Sequence, residues 1–358
     1  MKAKKLLLNI SISLITVILL LGLAEVAFRH NGKYKAYMER FGKPYAPLFV
    51  PGASSWYFVY SPYYKRTDYS VYDNGSIEFS NTFESNNEGF LDKDFRISKG
   101  KDTIRIIMIG DSFIQGNGAP YDSSCPKQLE HMLNNYYRGK PAVEIWDCGI
   151  GGSDPFYEYV LLANKLLKYH PDYVVEAINN TDIADVVIRG GAERFRPDST
   201  VVYTHQSKIE PIYAKSFLVR RIVHDVLKYN WMLMPDDELD KEKIISQNKI
   251  EACLINFETL CSGLHIPLLI SVQPMKEDFG KYPPSYMPAI ASFCDSLHLQ
   301  YTDCIKCFKS DGFTGEKADS LFWKMDMHYK PSGYTEYAKC LMPLMVQYLD
   351  SIKNSRSL

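Results

Sequence analysis

Like-charge blocks, low-complexity tracts and internal repeats are all missing from this chain of 358 residues. With 41 basic against 42 acidic side chains and a formal net charge of −1, it lacks the basic footprint of a nucleic-acid binder. There is no Walker loop, no glycine fingerprint for a dinucleotide after the first core strand, and no His-x-x-x-His pair. Nothing calls for an organic cofactor or a metal. Cys304-Ile305-Lys306-Cys307 has redox or zinc spacing, but no second pair or nearby histidine completes a tetrahedral site. The remaining cysteines (Cys125, Cys148, Cys253, Cys261, Cys294, Cys340) are scattered. An oxidising compartment would allow a disulfide, with a connectivity that is not readable from spacing.

What is present begins at the N-terminus. Lys2, Lys4 and Lys5 precede an uncharged, mostly apolar run from Leu6 to Ala24. As a helix this run rises about 28 Å, close to the hydrocarbon thickness of a bilayer. The lysines favour a cytoplasmic N-terminus with the remainder exported, to the periplasmic or extracellular side, although Arg29, Lys33 and Lys35 weaken that asymmetry. A cleaved signal peptide competes, because Gly22-Leu23-Ala24 offers small residues to a peptidase; the length of the run favours an uncleaved anchor. Tyrosine is abundant, especially between Tyr34 and Tyr72, where it suits either a half-buried strand or a face for sugars.

From Asn31 to Lys101 the composition predicts irregular structure with a few strands resting on a larger core. Beyond Thr103, strands and helices alternate. Ile104 to Ile109, Val143 to Trp146, Tyr173 to Ile178, Pro267 to Val272 and Gln300 to Thr302 read as strands. Tyr121 to Tyr137, the stretch capped by Asp154, Lys241 to Leu264, Tyr286 to Leu297 and Ser332 to Ile352 read as helices. This order predicts an α/β fold with a mostly parallel sheet flanked by helices on both faces. Residues 183–240 break the rhythm, with Arg189-Gly190-Gly191, a turn-rich stretch to Tyr203 and a helix near Phe217 to Tyr229. They read as an insertion near the C-terminal ends of the strands, serving either as a lid or as packing.

Gly110-Asp111-Ser112-Phe113 follows the first buried strand, which places a serine hydroxyl at a strand-to-helix turn with free backbone N–H groups nearby. On its own, such a serine is as well explained as a helix cap. Far downstream, Asp326-Met327-His328 precedes the last helix and offers a base with a carboxylate to fix its tautomer. Gly149-Ile150-Gly151-Gly152 and Asn179-Asn180-Thr181-Asp182 end the second and third strands, where backbone amides or a side-chain amide could meet an oxyanion.

The four stretches together resemble the SGNH/GDSL hydrolase family, from about Asn87 to the C-terminus and with all blocks in order. Arg105-Ile106-Ile107-Met108-Ile109-Gly110-Asp111-Ser112-Phe113 is similar to its first block, Gly149 to Gly152 to its second, and Asp326-Met327-His328 to its fifth. Asn87-Glu88-Gly89-Phe90 resembles the lead-in of membrane-anchored members. The Asp–His spacing is two where the family often has three. Strict alignment of the third block on Asp182 puts Thr181 where asparagine is expected, with Asn180 able to serve if the turn shifts by one.

The resemblance implies an SGNH/flavodoxin-like three-layer sandwich, and the chain divides into an anchor (1–28), a Tyr-rich extension (29–100) and a hydrolase domain (101–358) carrying the insertion 183–240. It implies Ser112 as nucleophile, His328 as base, Asp326 as its orienter, and Ser112, Gly152 and Asn180 or Thr181 around the oxyanion. The expected activity is ester hydrolysis through an acyl-enzyme, directed by compartment and analogy to O-acyl groups on envelope or extracellular carbohydrate. An O-acetyltransferase using the same triad, and a non-catalytic glycan-binding protein on the same fold, are the alternatives. The acyl group and the oligomeric state are not encoded legibly.

Overall fold

In the computed structural model, which describes residues 2–34, 59–196, 201, 207–280 and 285–356, the chain opens with one continuous helix, α1 (Lys2–Asn31). Within its span Lys4–Asn31 the most apolar 18-residue window has a mean hydropathy of 2.6 and no buried residue, so the helix is long and apolar enough to cross a membrane. Parts of the tyrosine-rich stretch (35–58) and of the turn-rich stretch (197–200, 202–206) lie outside the described residues. The few strands expected before the core are an antiparallel hairpin, β1 (Lys65–Val71) and β2 (Ile77–Glu84).

The core starts with β3 (Thr103–Gly110), whose eight residues are all buried. Its one charge, Arg105, is tolerated because each of its guanidinium nitrogens has an acceptor. Arg105 donates to the carbonyls of Tyr169 (2.7 Å), Ile97 (3.2 Å) and Ser98 (3.1 Å) and to Glu144 (3.3 Å), and stacks 4.1 Å over the Trp146 ring. One helix was expected over 121–137; instead a 3-10 turn (Tyr121–Ser123) precedes α2 (Cys125–Tyr137). Pro126 sits in the first turn of α2, where its missing N–H costs nothing but cannot continue a helix from upstream.

β4 (Ala142–Gly149), α3 (Pro155–Leu161) and β5 (Tyr173–Ile178) follow, with Asp154 capping α3 through the Phe156 and Tyr157 N–H groups. Next come α4 (Asn180–Arg189), α5 (Glu210–Lys215), α6 (Phe217–Arg221), α7 (Asp236–Gly263) and β6 (Leu268–Val272). The chain closes with α8 (Met287–Ser296), β7 (Tyr301–Asp303), α9 (Cys304–Ser310), α10 (Glu316–Asp319) and α11 (Pro331–Arg356).

The sheet order is β4-β3-β5-β6-β7 and every pairing is parallel. Counted from β3 this is 2-1-3-4-5, the flavodoxin-like doubly wound order. Alternation along the strands divides the core between the two faces. Ile106, Met108, Ile145, Val175 and Leu269 pack with Leu129 and Leu133 of α2 and Tyr337 and Leu341 of α11. Ile107, Ile109, Val174, Ile270 and Val272 pack with Leu161 of α3, Leu254 and Phe257 of α7, and Ile290 of α8.

The 183–240 region meets the foot of α1. The Glu25 carboxylate accepts from Ser216 Oγ (2.8 Å) and from the Phe217 (3.0 Å) and Leu218 (2.9 Å) N–H groups, and Arg29 donates to the Lys215 carbonyl (3.0 Å). A disulfide joins Cys307 of α9 to Cys340 of α11, while Cys304, the other half of the C-x-x-C spacing, is a buried thiol.

Candidate active site

The 2-1-3-4-5 order reverses direction between β3 and β5, and crevices outside the carboxyl ends of strands at such a switch point are where α/β sheets bind ligands. Asp111, buried just past β3, spans this point. One of its oxygens accepts from the Phe113 N–H (2.9 Å), the other from Asn179 Nδ2 (3.0 Å) and Thr181 Oγ1 (3.2 Å). The nucleophile turn is therefore tied to the end of β5, and Ser112 between these anchors stays half-buried.

Although 216 residues apart, Ser112 Oγ and His328 Nε2 lie 2.7 Å from each other. His328 Nδ1 lies 2.6 Å from Asp326 Oδ1. A carboxylate only accepts, so Nδ1 carries the proton and Nε2 is left to accept from the serine hydroxyl. The spacing of two residues works because Met327 between them has φ +75°, a left-handed conformation that folds the carboxylate back onto the ring. Burial pushes the Asp326 carboxyl up, but the hydrogen bond and charge of His328 outweigh it and hold the group below its ordinary value. The Phe113 ring packs 4.6 Å from the imidazole and limits its swing.

The second-strand glycines sit beside this relay. Gly149 pairs with Gly110 at the strand ends, and a Cβ on Gly149 would lie 2.1 Å from the Gln115 nitrogen, so no other residue fits. Gln115 Oε1 accepts the Gly151 N–H at 2.6 Å, and Gly152 follows, exposed, at φ +75°. The N–H groups of Ser112 and Gly152 have no hydrogen-bond partner among the described residues.

Geometry also separates the two third-block residues. The Thr181 hydroxyl is taken up by Asp111 and Asn179. Asn180 accepts the Tyr286 N–H through Oδ1 (3.1 Å), which leaves its Nδ2 uncommitted among the described residues.

Sequence reasoning missed Gln115, which orders the glycine turn, and Asn179, which caps α4 and tethers Asp111. Nothing local marks Gln115, whose bond crosses to a separate segment; Asn179 and Asp182 form a local capping box, but the tie from Asn179 to Asp111 is long-range and unmarked. It also missed a buried acid pair under the turn. Ser153 Oγ donates to the Gly110 carbonyl (3.1 Å) and to Glu158. Burial and the neighbouring Glu176 push Glu158 well above the usual carboxylate range, and burial does the same to Glu176. Among the described residues the metal-spaced cluster is Cys307, Asp311 and Cys340, two of whose ligand atoms are joined in the disulfide.

No family model matches the chain, and no curated protein sequence matches it. Solved structures with a similar chain path include an alpha/beta hydrolase enzyme from the metagenome of Lake Arreo, Spain. It is 12% identical, with 67% of this chain and 94% of that one covered at a TM-score of 0.44. An acetylxylan esterase from Geobacillus stearothermophilus is 15% identical, with 70% and 95% covered at 0.42. A two-domain esterase active on acetylated mannans is 11% identical, with 70% and 50% covered at 0.41. At these scores and identities nothing about the activity of this chain follows, and the chemistry has to be argued from the site.

Proposed function

We propose that the protein is an SGNH/GDSL-type serine ester hydrolase that removes O-acyl groups from envelope or extracellular carbohydrate through an acyl-enzyme. The observation that carries this is the continuous relay Ser112 Oγ–His328 Nε2 and Nδ1–Asp326, at 2.7 and 2.6 Å. In this mechanism Ser112 attacks the ester carbonyl while His328 takes its proton and Asp326 stabilises the imidazolium. The Ser112 and Gly152 N–H groups, with Asn180 Nδ2, receive the negative charge that develops on the carbonyl oxygen. His328 returns the proton to the departing alcohol, and then draws one from the water that cleaves the acyl-enzyme.

Two features support a carbohydrate ester. An apolar N-terminal helix suits an anchored, exported protein. Tyr64, 48% exposed, stacks 6.0 Å from Tyr60, whose hydroxyl lies 3.5 Å from Gln115 Oε1 beside the glycine turn. An exposed aromatic face that close to an acyl site is an apt platform for a sugar ring.

The test is covalent. A fluorophosphonate probe should label the full chain in detergent, labelling should vanish in Ser112→Ala, and acetyl should be released from an O-acetylated oligosaccharide. Label on any other residue, or none, rules out the acyl-enzyme. Acetyl passed to an added oligosaccharide acceptor faster than to water would make the protein a transferase.

A further inference from the structure

Glu78 of β2 is a buried carboxylate that forms no ion pair among the described residues. Ionised side chains are rarely buried without compensation. Here the compensation is a run of backbone donors. Oε1 accepts from the N–H groups of Lys324 (2.7 Å) and Met325 (3.0 Å). Oε2 accepts from Met325 (3.2 Å), Asp326 (3.2 Å) and Ser70 Oγ (2.9 Å). Three successive N–H groups wrapped around one anion form a nest, and such a nest fixes the backbone that builds it. Burial pushes the Glu78 carboxyl up, yet the donors from Met325, Ser70, Lys324 and Asp326 outweigh it and hold it below its ordinary value.

The residues in the nest lead directly into the relay. Asp326 is both the last donor to Glu78 and the acceptor for His328, and Met327 then takes its left-handed turn. The loop closes where the Trp323 N–H donates to the His328 carbonyl (2.8 Å). The Trp323 indole in turn donates to the Gly118 carbonyl (2.8 Å) and packs 5.2 Å from Phe79, next to Glu78. The loop is thus gripped on one side by the α/β core and on the other by the hairpin.

We propose that Glu78 is a positioning residue, holding the 324–326 backbone so that Asp326 meets His328 and making the β1–β2 hairpin part of the acid–base apparatus. This rests on the acyl-enzyme function given above. The side chain does not touch the reacting atoms; it acts through Asp326. Glu78→Gln preserves shape but turns one acceptor into an amide that opposes the N–H groups of the nest. Lys324 and Met325 are exposed, so water can satisfy their N–H groups and the loop can relax without the core unfolding.

Turnover of p-nitrophenyl acetate by the full chain in detergent should be divided by the number of sites titrated with fluorophosphonate. In Glu78→Gln, kcat per titrated site should drop roughly 10- to 100-fold with KM within about twofold, the scale of a small misplacement of a catalytic group. In an Asp326→Ala background the same change should cost less than about twofold, because the group it positions is gone. The downfield proton resonance of His328 Nδ1–H should broaden or move upfield. Should Glu78→Gln fail to fold, Glu78→Asp, one methylene short, carries the same test with an intermediate loss. Unchanged kcat per site overturns the proposal, as does a loss confined to the titrated fraction or the thermal midpoint. If the wild type neither labels nor turns over, the acyl-enzyme reading fails. The Nδ1–H resonance then still decides whether Glu78 holds Asp326 on the ring.

Discussion

Asp326→Ala removes the carboxylate from His328 and leaves Ser112, the glycine turn and Asn180 untouched. What is lost is the attraction between that carboxylate and the imidazolium that forms only as Ser112 attacks. Unit charges about 4 Å apart attract by about 4 kcal/mol at an effective dielectric near 20. At about 1.4 kcal/mol per decade of rate, that is close to three decades. The pair is not sealed from water, with side-chain exposures of 19% for His328 and 26% for Asp326, so solvent recovers part of the loss. The expected fall in kcat is therefore roughly 100- to 1,000-fold. KM should hardly move, since the interaction exists in the transition state and not in the bound ground state. Single-turnover acylation by p-nitrophenyl acetate measures this, and fluorophosphonate labelling should slow by a similar factor. Acylation within about threefold of the wild type, well short of the 100-fold floor, would refute the relay as the source of the base's strength.

Two further outcomes follow from the same geometry. Asn180→Ala should lower kcat by roughly 100- to 1,000-fold at constant KM, as loss of one oxyanion donor does. Thr181→Ala, whose hydroxyl is committed to Asp111, should cost much less; the reverse ranking in steady-state assays would exchange their roles. The second concerns the Glu158–Glu176 pair. The fold keeps a proton there that the unfolded chain releases near pH 4.3, so the native state binds more protons and stability declines as pH rises above that value. Over the range in which the pair keeps its proton, stability falls with rising pH at the slope set by the protons retained in the fold and lost from the unfolded chain. Replacing both residues by glutamine should remove this slope, so the gap in thermal midpoint over the wild type should widen toward alkaline pH. A constant gap would mean that the pair holds no proton.

The elements that could be read in the sequence are those whose cause is local. Tyr173–Ile178 is an unbroken apolar run because the strand is covered on both faces, and the structure gives those same bounds. Asp154 is a cap because a short acceptor side chain before a proline and an apolar helix has few other uses. Glu78 is the opposite case. A lone glutamate in an alternating hairpin defaults to solvent, and its burial depends on a loop almost 250 residues away. Asn180 and Thr181 could not be told apart locally for a similar reason, because the bond from Thr181 to Asp111 forms only where β3 and β5 lie side by side. The cysteines mislead through proximity. Cys304 and Cys307 begin the same short helix but point different ways, one into the core and the other toward α11.

The contacts at Glu25 bear on where such a site can work. The charged foot of α1 caps α6 directly, with no spacer between the apolar run and the folded part. A protein built this way is a post and not a tethered float. If α1 spans a bilayer, these contacts keep the folded part, and with it the crevice, close to the lipid surface. For the carbohydrate esterase proposed above, substrates would then be selected by distance from the membrane as well as by chemistry. Polymer chains lying within one protein diameter of the lipid surface, or passing through that layer during export, would be within reach. The same ester bonds farther out would not.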